Sequence, residues 1–94
     1  MHKAREIDGA LTKKGFQRTI AQSHWRFVFM YQDKMTQIHT KLSMGRSSND
    51  PGRDNLHKMK RDLHFDSYQD FSDLIDCTYS QQQYISMLQQ KHLL

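Results

Sequence analysis

His24 and Arg26 lie two residues apart in the stretch Ser23-His24-Trp25-Arg26-Phe27-Val28-Phe29-Met30-Tyr31. In an extended chain that spacing sets an imidazole and a guanidinium on one face. Histidine is the side chain best matched to proton transfer near neutral pH, and a fixed cation beside it steadies charge developing on a phosphate. Were the phosphate that of RNA, which brings its own nucleophile in the ribose 2′-hydroxyl, cleavage without a metal would need a base for that proton, cations for the phosphate oxygens and preferably an acid for the leaving oxygen. His24 fits the base, Arg26 the first cation, and Lys41 or Arg46 the further charge. The same pattern also fits a strand-edge histidine hydrogen-bonded to backbone. His39 shares a strand face with Lys41 and can join an RNA surface, while His2, His57, His64 and His92 read as ordinary surface residues. No histidine pair has metal-ligand spacing with an added carboxylate, so neither metal nor cofactor is expected.

The elements that hold these groups follow from periodicity. Trp25, Phe27, Phe29 and Tyr31 occupy alternate positions, which predicts a strand with four aromatics on one face. They read as core, with the exposed edge of Trp25 or Tyr31 as a stacking surface for a base. Upstream, Ile7, Ala10 and Leu11 make a helical stripe within residues 3–14, closed by Lys13, Lys14 and Gly15. Phe16 to Ala21 alternates as a first strand, Gln22-Ser23 turns the chain, and Gln32-Asp33-Lys34 turns it again. Met35 to Leu42 then reads as a third strand, with Thr36, Ile38, Thr40 and Leu42 on one face and Gln37, His39 and Lys41 on the other. Short turns between three strands give an antiparallel meander. Residues 43–53 hold the only proline and two of the four glycines and read as a loop. Asp54 is expected to cap a helix with Leu56, Met59, Lys60 and Leu63 inward and Lys58 and Arg61 outward. Two shorter helices follow, opened by Ser67 with Asp70 and by Ser80 with Gln83. The expected class is α+β: an α-β-β-β-α core with a three-stranded antiparallel sheet, plus a C-terminal two-helix extension.

Charge divides the chain at nearly the same place. Residues 1–61 carry thirteen Lys or Arg against five acids, and residues 62–94 carry Lys91 against five Asp. We therefore divide the chain into a basic core, 1–65, and an acidic helical extension, 66–94, packed on the same domain. A basic body predicts a polyanionic partner, most simply nucleic acid, with Lys13, Lys14, Arg18, Arg26, Lys41 and Arg46 as its phosphate contacts; Lys58, Lys60 and Arg61 add to the excess. Cys77 is the only cysteine, so no intramolecular disulfide forms and a reducing compartment is expected. The N-terminus enters charged residues directly and no apolar run approaches spanning length, which predicts a soluble, cytoplasmic protein without a membrane partner.

Leu11, Lys13-Lys14-Gly15-Phe16, Ser23-His24, Phe27, Thr40, Ser43, Gly45, Leu56, Met59 and Leu63, in this order of elements, resemble the HicA toxins of bacterial HicA–HicB toxin–antitoxin pairs. Leu74-Ile75-Asp76-Cys77 and Ser80 to Tyr84 resemble the tail of a longer variant of that family, so the likeness runs over nearly the whole chain. The resemblance implies a fold like the double-stranded-RNA-binding domain. It also implies an mRNA-cleaving, metal-independent endoribonuclease using His24, and a HicB-like antitoxin as protein partner. Two positions depart from the family. Gln22 stands where the family has glycine before Ser-His, and Met44 stands where the longer variant has histidine in Ser-His-Gly. Methionine cannot give or take a proton at neutral pH, so position 44, expected to be a catalytic His, lacks its acid–base group. The alternative is a non-catalytic RNA- or protein-binding module of the same fold.

Overall fold

The computed structural model describes residues 2–21, 24–43 and 52–94. Their elements run α1 (Ala4–Lys13), β1 (Phe16–Ala21), β2 (His24–Tyr31), β3 (Lys34–Ser43), α2 (Arg53–Asp62), α3 (Tyr68–Ile75) and α4 (Gln81–Gln90). The chain is thus α+β, with one three-stranded antiparallel sheet in the order β1-β2-β3 and four helices. Among the described residues no helix is long and apolar enough to cross a membrane.

The aromatic strand is the middle one. Phe27 and Phe29 are fully buried, and Trp25 and Tyr31 at the strand ends are half-buried. Residues opposite them in register complete one apolar face: Phe16 faces Phe29, Thr40 faces Phe27, and Leu42 faces Trp25. Ile7 and Leu11 of α1, Leu56 and Met59 of α2, Phe71 and Leu74 of α3, and Tyr84 and Leu88 of α4 all join the same cluster. Every helix therefore buries its stripe on one side of one sheet. Thr40, the buried polar residue of that face, donates its hydroxyl to Asp62 Oδ2 at 2.9 Å, which ties β3 to α2 without leaving a hydroxyl unsatisfied.

Four local expectations change. The second turn is two residues, not three: Gln32 and Asp33 both take positive φ, 53° and 63°, and Lys34 already pairs with Tyr31. Positive φ at both central residues matches the right-handed twist of the flanking strands. At α2 the N-cap is Gly52, not Asp54; the chain enters the helix at φ 83°, a conformation that suits glycine. Asp54 falls in the first turn, where its carboxylate faces the positive helix end. Lys60 is half-buried rather than turned wholly inward. Finally, β3 does not alternate cleanly. Between the pairs Val28–His39 and Met30–Met35 one residue of β2 opposes three of β3. Thr36 fills that bulge, its hydroxyl donating to the Phe29 carbonyl at 2.7 Å and accepting from the Ile38 amide at 3.2 Å. Thr36 consequently lines the outer face instead of sharing the inner face with Ile38.

Candidate nucleic-acid interface

Since directly opposed residues of an antiparallel pair project to the same side, the register lays out the face that carries no helix. Arg26 stands between Thr19 and Lys41, and Val28 stands between Gln17 and His39. One step further along, His24 pairs with Ala21 on one side and Ser43 on the other. None of the three strands contains an Asp or Glu, so this open face presents two fixed cations and two imidazoles with no carboxylate among its strand residues.

Arg26 and Lys41 are exposed and directly opposite one another. Like charges in that position destabilise a sheet, and neither side chain has an ion pair among the described residues. An anion seated over the pair turns that repulsion into attraction. His24 lies exposed on the same face, two residues from Arg26. One backbone strand therefore fixes the spacing of imidazole and guanidinium, and the β2–β3 register brings in the ammonium.

The other expected contacts are distributed differently. Arg18 has the same parity as Phe16 and faces Phe27, so it projects to the helix side. There it forms an ion pair with Asp8 of α1 and lies over the Trp25 ring, 4.7 Å from its centroid. It is separated from Arg26 by the sheet itself. Lys13 and Lys14 close α1, where the Gly15 carbonyl accepts from Met30, at the far end of the sheet from His24. The length of β1, about 17 Å at the usual strand rise, separates them from that histidine. Lys58 is paired with Asp62 on α2. The half-buried aromatics Trp25 and Tyr31 also face the helices, Tyr31 accepting a hydrogen bond from Gln89 of α4, so neither offers a ring to the open face. Met44 and Arg46 lie outside the described residues; Ser43, which precedes Met44, is the register partner of His24.

The site as built is thus His24, Arg26 and Lys41, with His39 one row away. Gln37, Met35 and the buried Val28 also belong to this face, and sequence reasoning gave them no role. Their signal was available in the alternation of β3, which put Gln37 with His39 and Lys41. Gathering of metal ligands is not part of the picture: no three His, Cys, Asp or Glu cluster among the described residues. Set against protein-family models, curated proteins and solved structures, the chain matches none of them.

Proposed function

We propose that the protein is an RNA-binding toxin of the HicA type, a metal-independent endoribonuclease whose reaction centre is His24 with Arg26 and Lys41. The observation that carries this reading is the carboxylate-free open face on which these three groups share one end. The α-β-β-β-α order with helices on one side of the sheet is also what a double-stranded-RNA-binding-like fold has.

In this reading a phosphodiester lies over Arg26 and Lys41, whose charges hold its non-bridging oxygens. His24 removes the proton of the 2′-hydroxyl. The 2′ oxygen bonds to phosphorus, the bond from phosphorus to the 5′ oxygen breaks, and the products are a 2′,3′-cyclic phosphate and a 5′-hydroxyl. The leaving oxygen takes its proton from water, because a methionine at position 44 has none to give. The reaction is accordingly slow. A HicB-like antitoxin would neutralise it by covering the open face.

The test is cleavage of an mRNA in chelator by the purified protein and by His24→Ala. Loss of a positioned general base lowers the rate by about 10²–10⁴-fold. Cleavage by His24→Ala at the rate of the unaltered protein overturns the assignment. A second reading, a binding module without catalysis, is favoured by Met44 alone; RNA binding with no cleavage even in Met44→His would establish it.

A further inference from the structure

Val28 is the anomaly of the open face. It is only 6% exposed although no helix covers it, and it stands outside the main core cluster. Its neighbours bury it. On one side the depression over Val28 is walled by Arg26, Met35, Thr36, Gln37 and His39 and has a volume of about 410 Å³. On the other, Gln17, Thr19 and Met35 enclose a smaller one of about 120 Å³.

The larger depression exists because of the bulge. With three residues of β3 against one of β2, the strand bends and Thr36 turns outward; bulges commonly re-aim side chains beside functional sites. Its walls differ in kind. Val28 gives an apolar floor. Met35, 67% exposed, gives a polarizable thioether edge that adapts to a flat ring. His39 Nδ1 lies 3.0 Å from the Gln37 carbonyl. A carbonyl can only accept, so Nδ1 carries the hydrogen of this bond, and in the neutral imidazole Nε2 is left to accept from a ligand. Arg26 belongs both to this wall and to the cationic pair with Lys41.

Resting on the RNA reading above, we infer that this depression is a nucleobase subsite, and that the chain therefore takes its RNA as a single strand rather than a duplex. The phosphate lies over Arg26 and Lys41, and the base attached to it turns into the slot between Met35 and His39 over Val28. A base paired in a helix cannot do so, since its faces and its edge are occupied. The two cations supply charge complementarity; the slot supplies selection for an unpaired base. Lys13 and Lys14, at the far end of the sheet, are not part of this contact.

The experiment uses 2′-O-methyl RNA, which binds but lacks the nucleophile for cleavage. Fluorescence anisotropy compares a labelled octamer single strand, the same strand annealed to its complement, and the strand with alternate abasic sites. The subsite predicts that duplex formation and abasic substitution each weaken binding about tenfold or more, the scale of a lost base contact. Met35→Ala and His39→Ala, both at exposed positions, weaken single-strand binding several-fold while leaving its dependence on salt unchanged. Arg26→Ala instead flattens that dependence, because phosphate contacts set it. Equal binding of single strand and duplex, or of intact and abasic strands, overturns the subsite and leaves the RNA reading standing. Absence of binding to every one of these strands overturns both.

Discussion

Tyr84 sits where the helices meet the sheet, fully buried between Phe16, Phe29 and Phe65. Its hydroxyl donates to the Leu63 carbonyl at 3.0 Å, satisfying the one polar atom of an otherwise apolar side chain. Burial, with a smaller contribution from Tyr79, pushes this hydroxyl well above the ordinary phenol range. The group is held neutral in the fold, so the stability it contributes is complete below about pH 10 and is lost as the pH rises beyond it. Tyr84→Phe should cost about 1–2 kcal/mol at pH 7 through the orphaned carbonyl. It should also make the fall in stability between pH 10 and 11 shallower. Urea denaturation at the two pH values reads both effects, and an equally steep fall in the variant would be evidence against them. On the open face Arg26 and Lys41 stand opposite one another on neighbouring strands, a like-charge pairing that costs stability and that a bound anion would offset.

At the scale of the elements, three helices end in one device. His64, Cys77 and His92 follow α2, α3 and α4 with φ of 68°, 66° and 61°. In each case that residue and the next donate back to the last turn, as in the bonds from His64 to Arg61 and from Phe65 to Lys60. This is the Schellman closure, normally built on glycine. A side chain in the left-handed region costs about 1–2 kcal/mol, partly offset because glycine loses more entropy on folding. Cys77→Gly should therefore raise stability by about 0.5–1 kcal/mol. A lower thermal midpoint for that variant would contradict the strain argument. The stripe of α3 placed its end near Cys77, but the closure itself was not legible at any of the three, because the residues that signal it, glycine or asparagine, are absent. What was legible had strong local causes. The alternation of β2 announced the middle strand, and Ser80 with Gln83 announced α4 through a capping box that is fully made. Ser67 accepts from Asp70 as its own half of such a box. The bulge in β3 has no marker of its own, since Thr36 is an ordinary strand residue until the Phe29 carbonyl is brought to it. Arg18 shares the parity of Phe16, and its guanidinium lies on the helix side, paired with Asp8 and over the Trp25 ring.

At the scale of the whole molecule, charge and packing do not divide at the same place. Of the acidic residues after position 61, Asp62 ends α2, Asp70 and Asp73 lie on α3, Asp66 precedes α3 and Asp76 caps its end; the helices of this half complete the core, with Phe71, Leu74, Tyr84 and Leu88 all fully buried. Gly15 reflects the same closeness. Its φ is 100°, and a Cβ there would meet the Gln81 amide of α4 at 2.9 Å. Polar ties add to the packing, with Lys91 bonded to Asp66 and Gln89 to Tyr31. Leu88→Ala should cost about 2–5 kcal/mol, as much as a change in the sheet itself. A loss below 1 kcal/mol in urea denaturation would mean that α4 merely rests on the rest of the chain.

If the open face is the ribonuclease site proposed above, it is short of one proton-transfer group, at position 44. The most direct measurement is RNA cleavage in chelator by four proteins: the chain as it stands, Met44→His, His24→Ala, and the double variant. The account predicts faster cleavage by Met44→His than by the unaltered chain, and loss of that gain when His24 is also replaced. Cleavage by Met44→His that is indifferent to His24→Ala would contradict it.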